Sequence, residues 1–418
     1  MHYIEILETI SWILALLTGI CYFYQTVYLA VPFLGKQKAH QSAVYHRYAI
    51  LIAARNEEAV LPHLLASIAA QDYPADLITT YVVADNCTDR TAELAESCGA
   101  KVFVRQNRKE IGKGYALHHL LEQIKASGEY ETFDAFLVFD ADNLLEPNYI
   151  TEINKTYSDG YEAFCGYRNT KNFGSSWVSA GYALWYLHDA VHLNQSRMLL
   201  GTTCAVSGTG FGFTRELLER CGGWNFFTLT EDIEFNTWCA TRGVRIGYCR
   251  DAILYDEQPI TFRTSWRQRT RWTQGGLQVS FRYAKDLFKG IFIQRKLRIK
   301  YASFEAATLG VYGYSIASIS FVFALATIVL RHGLAGAGRF LLLTLVTAYV
   351  SMFALGLLTT ITEWKRIHAT TGKKIAALFT FPFFMMSFAP ITATALFRKF
   401  EWKPIAHTVA IPVSQLVK

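Results

Sequence analysis

The pair Asp140-Ala141-Asp142 follows directly on the apolar run Ala135–Phe139. Placed one residue apart after a strand, two carboxylates bracket a tight turn and can converge on one hard divalent cation. Mg2+ or Mn2+ held by one or two carboxylates completes its shell with phosphate oxygens, and such an ion takes up negative charge on a departing diphosphate. Lys113 lies in Arg108-Lys109-Glu110-Ile111-Gly112-Lys113-Gly114, where a glycine-flexed turn enters a helix. Helix N-terminal amides plus a lysine suit a phosphate. Thr230-Glu231-Asp232 opens another helix. Capping alone explains a threonine followed by acids; the chemical use is a general base at the edge of a pocket. In Gln268-Arg269-Thr270-Arg271-Trp272, Arg271 can clamp a diphosphate bidentately and Trp272 offers a flat face to a sugar ring. The plainer reading of that pair is a membrane-proximal Arg/Trp anchor.

The elements that must position these groups are legible as an alternation. Short apolar runs at Tyr48–Ala53, Thr79–Ala84, Lys101–Val104 and Ala135–Phe139 are separated by helical patterns at Glu58–Ala70, Thr88–Cys98 and Gly112–Ala126. Repeated strand-helix-strand units with continuous apolar strands predict a parallel sheet covered on both faces, an α/β domain. Ligands bind such a sheet outside the carboxyl ends of its strands, and here those ends carry Arg55, Asp85 and Asp140. Singly, Asn86-Cys87-Thr88-Asp89 and Asp140-Ala141-Asp142-Asn143 are also good turn and cap sequences. Their joint position at one sheet edge favours a site. No Gly-x4-Gly-Lys-Ser/Thr and no Gly-x-Gly-x-x-Gly after the first strand is present, which disfavours a P-loop enzyme and a dinucleotide dehydrogenase.

Of the 418 residues, 51% are hydrophobic and 18% charged, with a formal net charge of +7. That composition excludes a disordered or acidic solvating chain. Four uncharged stretches, Thr9–Gly35, Ala306–Leu330, Phe340–Thr362 and Ile375–Phe397, each exceed the ~20 residues a helix needs to cross a bilayer. The expected organisation is a membrane helix over 1–35, a soluble domain over 36–280, an amphipathic interfacial helix over 281–304, membrane helices over 305–397 and a tail over 398–418. Lys36, Lys38 and Arg47 after the first stretch place the soluble domain in the cytoplasm of a multi-pass cell-membrane protein. Arg331 and Arg339 then fall in an outer loop, and Lys365, Arg366, Lys373 and Lys374 in an inner one. Four simple spans would put the tail outside, yet it opens with Arg398, Lys399 and Lys403. Pro382 and Pro390 interrupt the last stretch, so a broken or re-entrant segment is the alternative. Basic and apolar residues alternate over Phe281–Lys300, as suits anionic headgroups. The eight cysteines form no Cys-x-x-Cys pair, which favours buried thiols over disulfides or zinc ligands. The basic excess lies beside the apolar stretches and does not argue for nucleic acid.

Taken in order, Asp85, Asp140-Ala141-Asp142, Thr230-Glu231-Asp232 and Gln268-x-x-Arg271-Trp272 on this layout make the chain resemble the membrane-integrated glycosyltransferase family 2 enzymes, the group of cellulose, chitin, hyaluronan and poly-N-acetylglucosamine synthases. The resemblance covers Tyr48 to about Gly276 and the flanking apolar segments. It implies a GT-A fold, a Rossmann-like mixed sheet, and an inverting transfer from a UDP-sugar. By motif, Ala54, Arg55, Glu57 and Asp85 would hold the nucleoside, Lys113 would lie near the uridine and diphosphate, and Asp140 and Asp142 would bind diphosphate and Mg2+ or Mn2+. Asp232, beside Thr230 and Glu231, would deprotonate the acceptor hydroxyl. Gln268, Arg271 and Trp272 would cover the donor diphosphate and the acceptor sugar. Ser207-Gly208-Thr209-Gly210 stands where cellulose synthases carry an acceptor motif, though most letters differ, which assigns Gly208 and Thr209 to the acceptor. The implied partners are a UDP-sugar, a glycan or glycolipid acceptor and a bilayer. The implied product is a processively elongated β-linked polysaccharide, toward which Gln268-x-x-Arg271-Trp272 tilts; the alternative is a single sugar on a membrane lipid such as diacylglycerol or polyprenyl phosphate. The presence of every catalytic acid disfavours a transporter or scaffold with a degenerate transferase domain.

Overall fold

The computed structural model describes residues 2–35, 43–397 and 407–416. Lys36, Lys38, Arg398, Lys399 and Lys403, used above to argue orientation, lie outside them. The chain opens with α1 (His2–Leu34) and then alternates: β1 (Tyr48–Ala54), α2 (Leu61–Ala69), β2 (Ile78–Asp85), α3 (Thr91–Ser97), β3 (Lys101–Arg105), α4 (Lys113–Ala126) and β4 (Ala135–Asp140). A less regular half follows, with β5 (Leu144–Leu145), α5 (Tyr149–Ser158), β6 (Ala163–Thr170), α6 (Trp177–His188), α7 (Ser196–Leu200), β7 (Phe211–Thr214), α8 (Arg215–Arg220), α9 (Glu231–Arg242) and β8 (Ile246–Asp256). Six helices complete it: α10 (Phe262–Arg282), α11 (Ala284–Phe288), α12 (Leu297–Leu309), α13 (Val311–Thr362), α14 (Thr371–Met386) and α15 (Phe388–Phe397).

One eight-stranded sheet organises the domain, in the order β3-β2-β1-β4-β7-β6-β8-β5. The half anticipated from the sequence, β3-β2-β1-β4, is parallel throughout. Its central strands β1 and β4 are buried on both faces, by Leu117, Leu120 and Ile124 of α4 on one side and by Leu61, Leu64, Ile150 and Ile153 on the other, while the edge strand β3 is partly exposed. The other half is mixed: β7 is antiparallel to β4 and β6, β6 and β8 are parallel, and β5 is antiparallel to β8. Gly212 permits the β7 crossing, because a Cβ there would collide with the Phe164 ring. The helices expected from residues 58 and 88 start later, at Leu61 and Thr91. The residues ahead of them are spent in bonds between the two strand-end turns: the Glu57 N–H donates to Thr91 Oγ1 (2.9 Å) and the Thr88 N–H to Asn56 Oδ1 (2.8 Å).

Among the described residues, three helices are long and apolar enough to cross a membrane: Tyr3–Leu34, Val311–Thr362 and Thr371–Phe397. The second contains all of the expected stretch Phe340–Thr362 and most of Ala306–Leu330, whose first residues end α12. Gly333 breaks it (φ 65°, ψ −168°), and the rings of Phe321 and Phe340 stack at 5.7 Å. Residues that far apart in a straight helix would be separated by ~28 Å, so the two arms fold back on each other. The turn of this hairpin sits against the start of α1, where Arg331 pairs with Glu8 (2.8 Å) and Ser11 bonds Thr327 (3.1 Å).

The last apolar segment begins and ends against the soluble domain. Just ahead of it Glu363 pairs with Arg250 of β8 (3.0 Å), and Ala377 and Phe381 of α14 join the core cluster of the sheet domain. At the break between α14 and α15, Ser387 accepts from Arg269 of α10 (2.8 Å), and farther on Gln274 of α10 donates to the Ala395 carbonyl (3.1 Å). Residues 407–416 then lie on the sheet domain, with Leu416 in a cluster with Leu144 and Tyr255. Residues 281–304, expected as one interfacial helix, are instead divided among the end of α10, α11, a wide turn over Lys289–Ile293 and the start of α12. Close approach of Gly290 to Ser303, whose hydroxyl occupies the space a Cβ would need, folds the segment back on α12.

Candidate active site

The parallel register brings the strand ends level: Ala53 of β1 stands beside Asp140 of β4, and Asp85 of β2 beside Arg105 of β3. On this edge Lys113, the first residue of α4, makes an ion pair with Asp140 and donates to the Gly208 carbonyl at 2.7 Å. Gly208 has φ +83°, and a Cβ there would lie 3.5 Å from Asp232 Oδ2. The positive φ is what favours glycine at this turn. Thr209 is buried; its hydroxyl accepts the Asp140 N–H (2.9 Å) and donates to Asn143, which holds the Asp140 turn. Asp232 and Glu231 open α9, and Gly114 of α4 passes close to Phe226 and Glu231. Burial, then the neighbouring Asp232, pushes the Glu231 carboxyl up to about 7. Burial also raises Asp232, opposed by its own helix N–H, Arg271 and Lys113. Thr230 Oγ1 is buried against Gly275 of α10.

A second group of charges lies on the other side of Asp140. Asp142 accepts the Glu257 N–H at 2.7 Å. Burial alone would raise its pKa, but His407, Lys171, the Glu257 N–H and Arg168 together hold it below the ordinary aspartate value. Arg168 is paired with Asp256 (2.6 Å) and stacks 3.8 Å from the Tyr186 ring. His407 Nδ1 meets Glu57 Oε1. The Glu257 carboxylate accepts the N–H groups of Thr408 (3.0 Å) and Val409 (2.9 Å), and Lys171 donates to the Val409 carbonyl (3.1 Å). His407, Glu257, Lys171 and Arg168 escape sequence reading. The tail carries no motif for chemistry, and Glu257 and Arg168 acquire meaning only because β6 and β8 pair.

Asp85 is brought to the same edge, but as a buried pair with Arg105 (2.6 Å) that also accepts from Asn86 (3.1 Å). Ala54 ends β1 beside Ala84, and Arg55 opens the turn that follows. Arg271 reaches the loop before α9, donating to the Leu229 carbonyl at 3.2 Å. Gln268 Oε1 is buried with no partner among the described residues. Trp272 meets Tyr182 edge-on at 5.8 Å, in an aromatic group with Phe384 and Phe388. Between Gln268 and Arg271 lies a residue the sequence did not single out. The Arg269 guanidinium is fully buried, stands 4.4 Å from the Phe384 ring and 4.7 Å from that of Phe388, and donates to the Phe384 carbonyl (3.0 Å) and Ser387.

No group of three or more His, Cys, Asp or Glu side chains that would cage a metal by itself is found among the described residues. Asp140 and Asp142 offer hard oxygen donors on one turn, which fits Mg2+ or Mn2+ that shares its shell with a diphosphate, and does not fit zinc.

A half-parallel sheet with acids on its strand ends, a basic helix start beside them and a carboxylate on a following helix defines a GT-A transferase. The chain belongs to glycosyltransferase-like family 2, whose pattern matches residues 46–275. It is similar to the β-monoglucosyldiacylglycerol synthase of Synechocystis sp., 27% identical over 56% of this chain and 48% of that one. It is also similar to the poly-β-1,6-N-acetyl-D-glucosamine synthase of Staphylococcus aureus, 28% identical over 56% of this chain and 55% of that one. The chain thus spans about half the length of these curated relatives. Among solved structures, the mannosyltransferase PcManGT from Pyrobaculum calidifontis, in complex with GDP-Man and Mn2+, superposes with a TM-score of 0.60 at 19% identity, over 93% of this chain and 99% of that one.

Proposed function

We propose that this glycosyltransferase moves one sugar from a UDP-sugar, with inversion, onto a hydroxyl of a lipid carried in the adjoining membrane. The observation behind this reading is the course of α14 and α15. A segment apolar enough for the bilayer starts and finishes at the soluble domain, and its break sets Phe384 and Phe388 against Tyr182 and Trp272. An apolar wall thus runs from the apolar helices to the motif residues beside Asp232. The side of the membrane follows from charge: Lys365, Arg366, Lys373 and Lys374 flank the domain end of the hairpin, which favours a cytoplasmic domain.

In this mechanism Asp232 accepts the proton of the attacking hydroxyl. That oxygen bonds to the anomeric carbon as the carbon–oxygen bond to the diphosphate breaks, so one base suffices and no protein nucleophile is needed. Lys113 and Arg271 face the charge that develops on the diphosphate and stabilise it. A divalent ion held by Asp140 and Asp142 would neutralise part of that charge. Gly208 leaves the space above Asp232 open for the acceptor.

The set Gln268-x-x-Arg271-Trp272 and the likeness to a poly-N-acetylglucosamine synthase favour a second reading, repeated addition to one growing chain. Purified full-length protein incubated with radiolabelled UDP-Glc, UDP-GlcNAc, UDP-GlcA, UDP-Gal or GDP-Man separates them. Label that extracts into organic solvent with a lipid supports the first reading. Label in water-soluble or insoluble polymer replaces it with the second.

A further inference from the structure

A cavity of about 620 Å3 opens where the C-terminal end of α9 meets the segment after α10, lined among others by Arg242, Asp286, Lys289, Ile293, Gln294 and Arg295. Three cations face one carboxylate. Arg242 reaches Asp286 at 3.5 Å and stacks on Trp238 at 4.8 Å, which fixes its guanidinium at the cavity wall. Lys289 and Arg295 are exposed and have no carboxylate partner among the described residues. The rim is apolar. Phe288, Phe292, Ile293 and Leu297 are 58–79% exposed, and the first two rings touch at 4.9 Å. Scattered apolar residues on a surface mean little, but a contiguous group edged by cations marks an interaction site. This rim leads through α12 into the hairpin α13, and Tyr312 at the hairpin's start bonds back to the Ser280 carbonyl (2.8 Å). The cavity therefore adjoins the segment that leads into the apolar helices.

We propose that this cavity binds the phosphate headgroup of an anionic membrane phospholipid, with Arg242, Lys289 and Arg295 on the phosphate and the aromatic rim among the acyl chains. Charge complementarity selects the anionic lipid over a zwitterionic one. This lipid is not the acceptor. Arg242 ends α9 and Asp232 lies in its first turn, so the two sites are ~15 Å apart along one rigid helix. The bound headgroup holds the far end of α9 at a fixed height over the membrane, and through it the height of Asp232 relative to a lipid-borne hydroxyl. That consequence rests on the transferase reading; the binding itself does not.

The test uses the full-length protein in nanodiscs of phosphatidylcholine alone and with added phosphatidylglycerol. Two readouts are followed, UDP release and retention of fluorescent phosphatidylglycerol by the protein. Phosphatidylglycerol should raise transfer about fivefold, the order expected for one basic contact at an anionic surface. Arg242→Gln and the pair Lys289→Gln with Arg295→Gln should lose that increase and the retained lipid, while keeping the rate seen in phosphatidylcholine. Inorganic phosphate added to phosphatidylcholine discs should not substitute. Equal rates in both compositions, full activation of the variants, or activation by inorganic phosphate would overturn the proposal. If no UDP is released in any disc but labelled lipid is retained only by the unsubstituted protein, the site stands and the transferase reading falls.

Discussion

His407 Nδ1 lies 2.9 Å from Glu57 Oε1, across 350 residues of chain. The contact draws the C-terminal tail over the strand edge that carries Asp140 and Asp142. Three carboxylates, Asp142, Glu57 and Glu257, raise the imidazole to about 10 against the opposing effect of burial, so it is a cation at neutral pH. His407→Ala removes that cation from beside Asp142 and Glu57, on the side proposed to take the donor. We expect the KM for the sugar nucleotide to rise about tenfold, the size of one charge-assisted contact, with a smaller change in kcat. Initial rates of UDP release against donor concentration measure it, and an unchanged KM would leave the tail a structural prop.

Asp232→Asn keeps the shape of the α9 N-terminus and removes the proposed base. Transfer should fall by about 10²- to 10⁴-fold, while UDP affinity by calorimetry stays within about twofold. Loss of UDP binding would refute the assignment of the base.

The pH profile tests the same residue differently. A general base works only when ionised, and Asp232 has its pKa raised by burial. Its activity should therefore be lost as pH falls, at a pH above the ordinary aspartate value of about 3.9. Glu231 ionises at about 7 because it is buried and Asp232 beside it is already charged. Glu231→Gln should delete this second step near neutral pH and leave a single acid limb. A kcat that is flat from about pH 4 to 8 would exclude both groups as participants.

Asp142→Ala should abolish the dependence of UDP binding on Mg2+ or Mn2+. Chelation of the unsubstituted protein should weaken UDP by a similar factor, about tenfold or more for a lost metal–phosphate contact. UDP affinity indifferent to both would overturn the proposed metal role of Asp142.

Arg269→Ala empties a site enclosed by Phe384 and Phe388 and frees the Phe384 carbonyl and Ser387. A loss of about 3 kcal/mol is expected, read as a lower Tm in detergent. Ser387→Ala, which removes one partner, should cost about 1 kcal/mol. Equal Tm values for all three proteins would show that α14–α15 is held by other contacts.

What sequence reading recovered is what local chemistry specifies. The parallel strands were legible because strands buried on both faces must be apolar throughout, and Tyr48–Ala54 and Ala135–Asp140 meet that demand. Lys113 and Asp140 were found for the same reason: each sits where a periodic pattern stops at a polar turn. The strands of the mixed half were not legible one by one, since β5 and β7 are two and four residues long and their pairing with β8 and β4 depends on partners far along the chain.

The residue types and their spacing, by themselves, determined the class of chemistry, the edge of the sheet where it is assembled and the presence of apolar helices, because each follows from a few neighbouring side chains. Tertiary structure alone decided that Arg269 fastens the broken last segment to the motif helix, that His407 returns to Glu57, and that Gly333 folds two apolar stretches into one hairpin. Those contacts join groups remote in sequence, and their energies arise from burial and electrostatic pairing that exist only once the chain has closed around them.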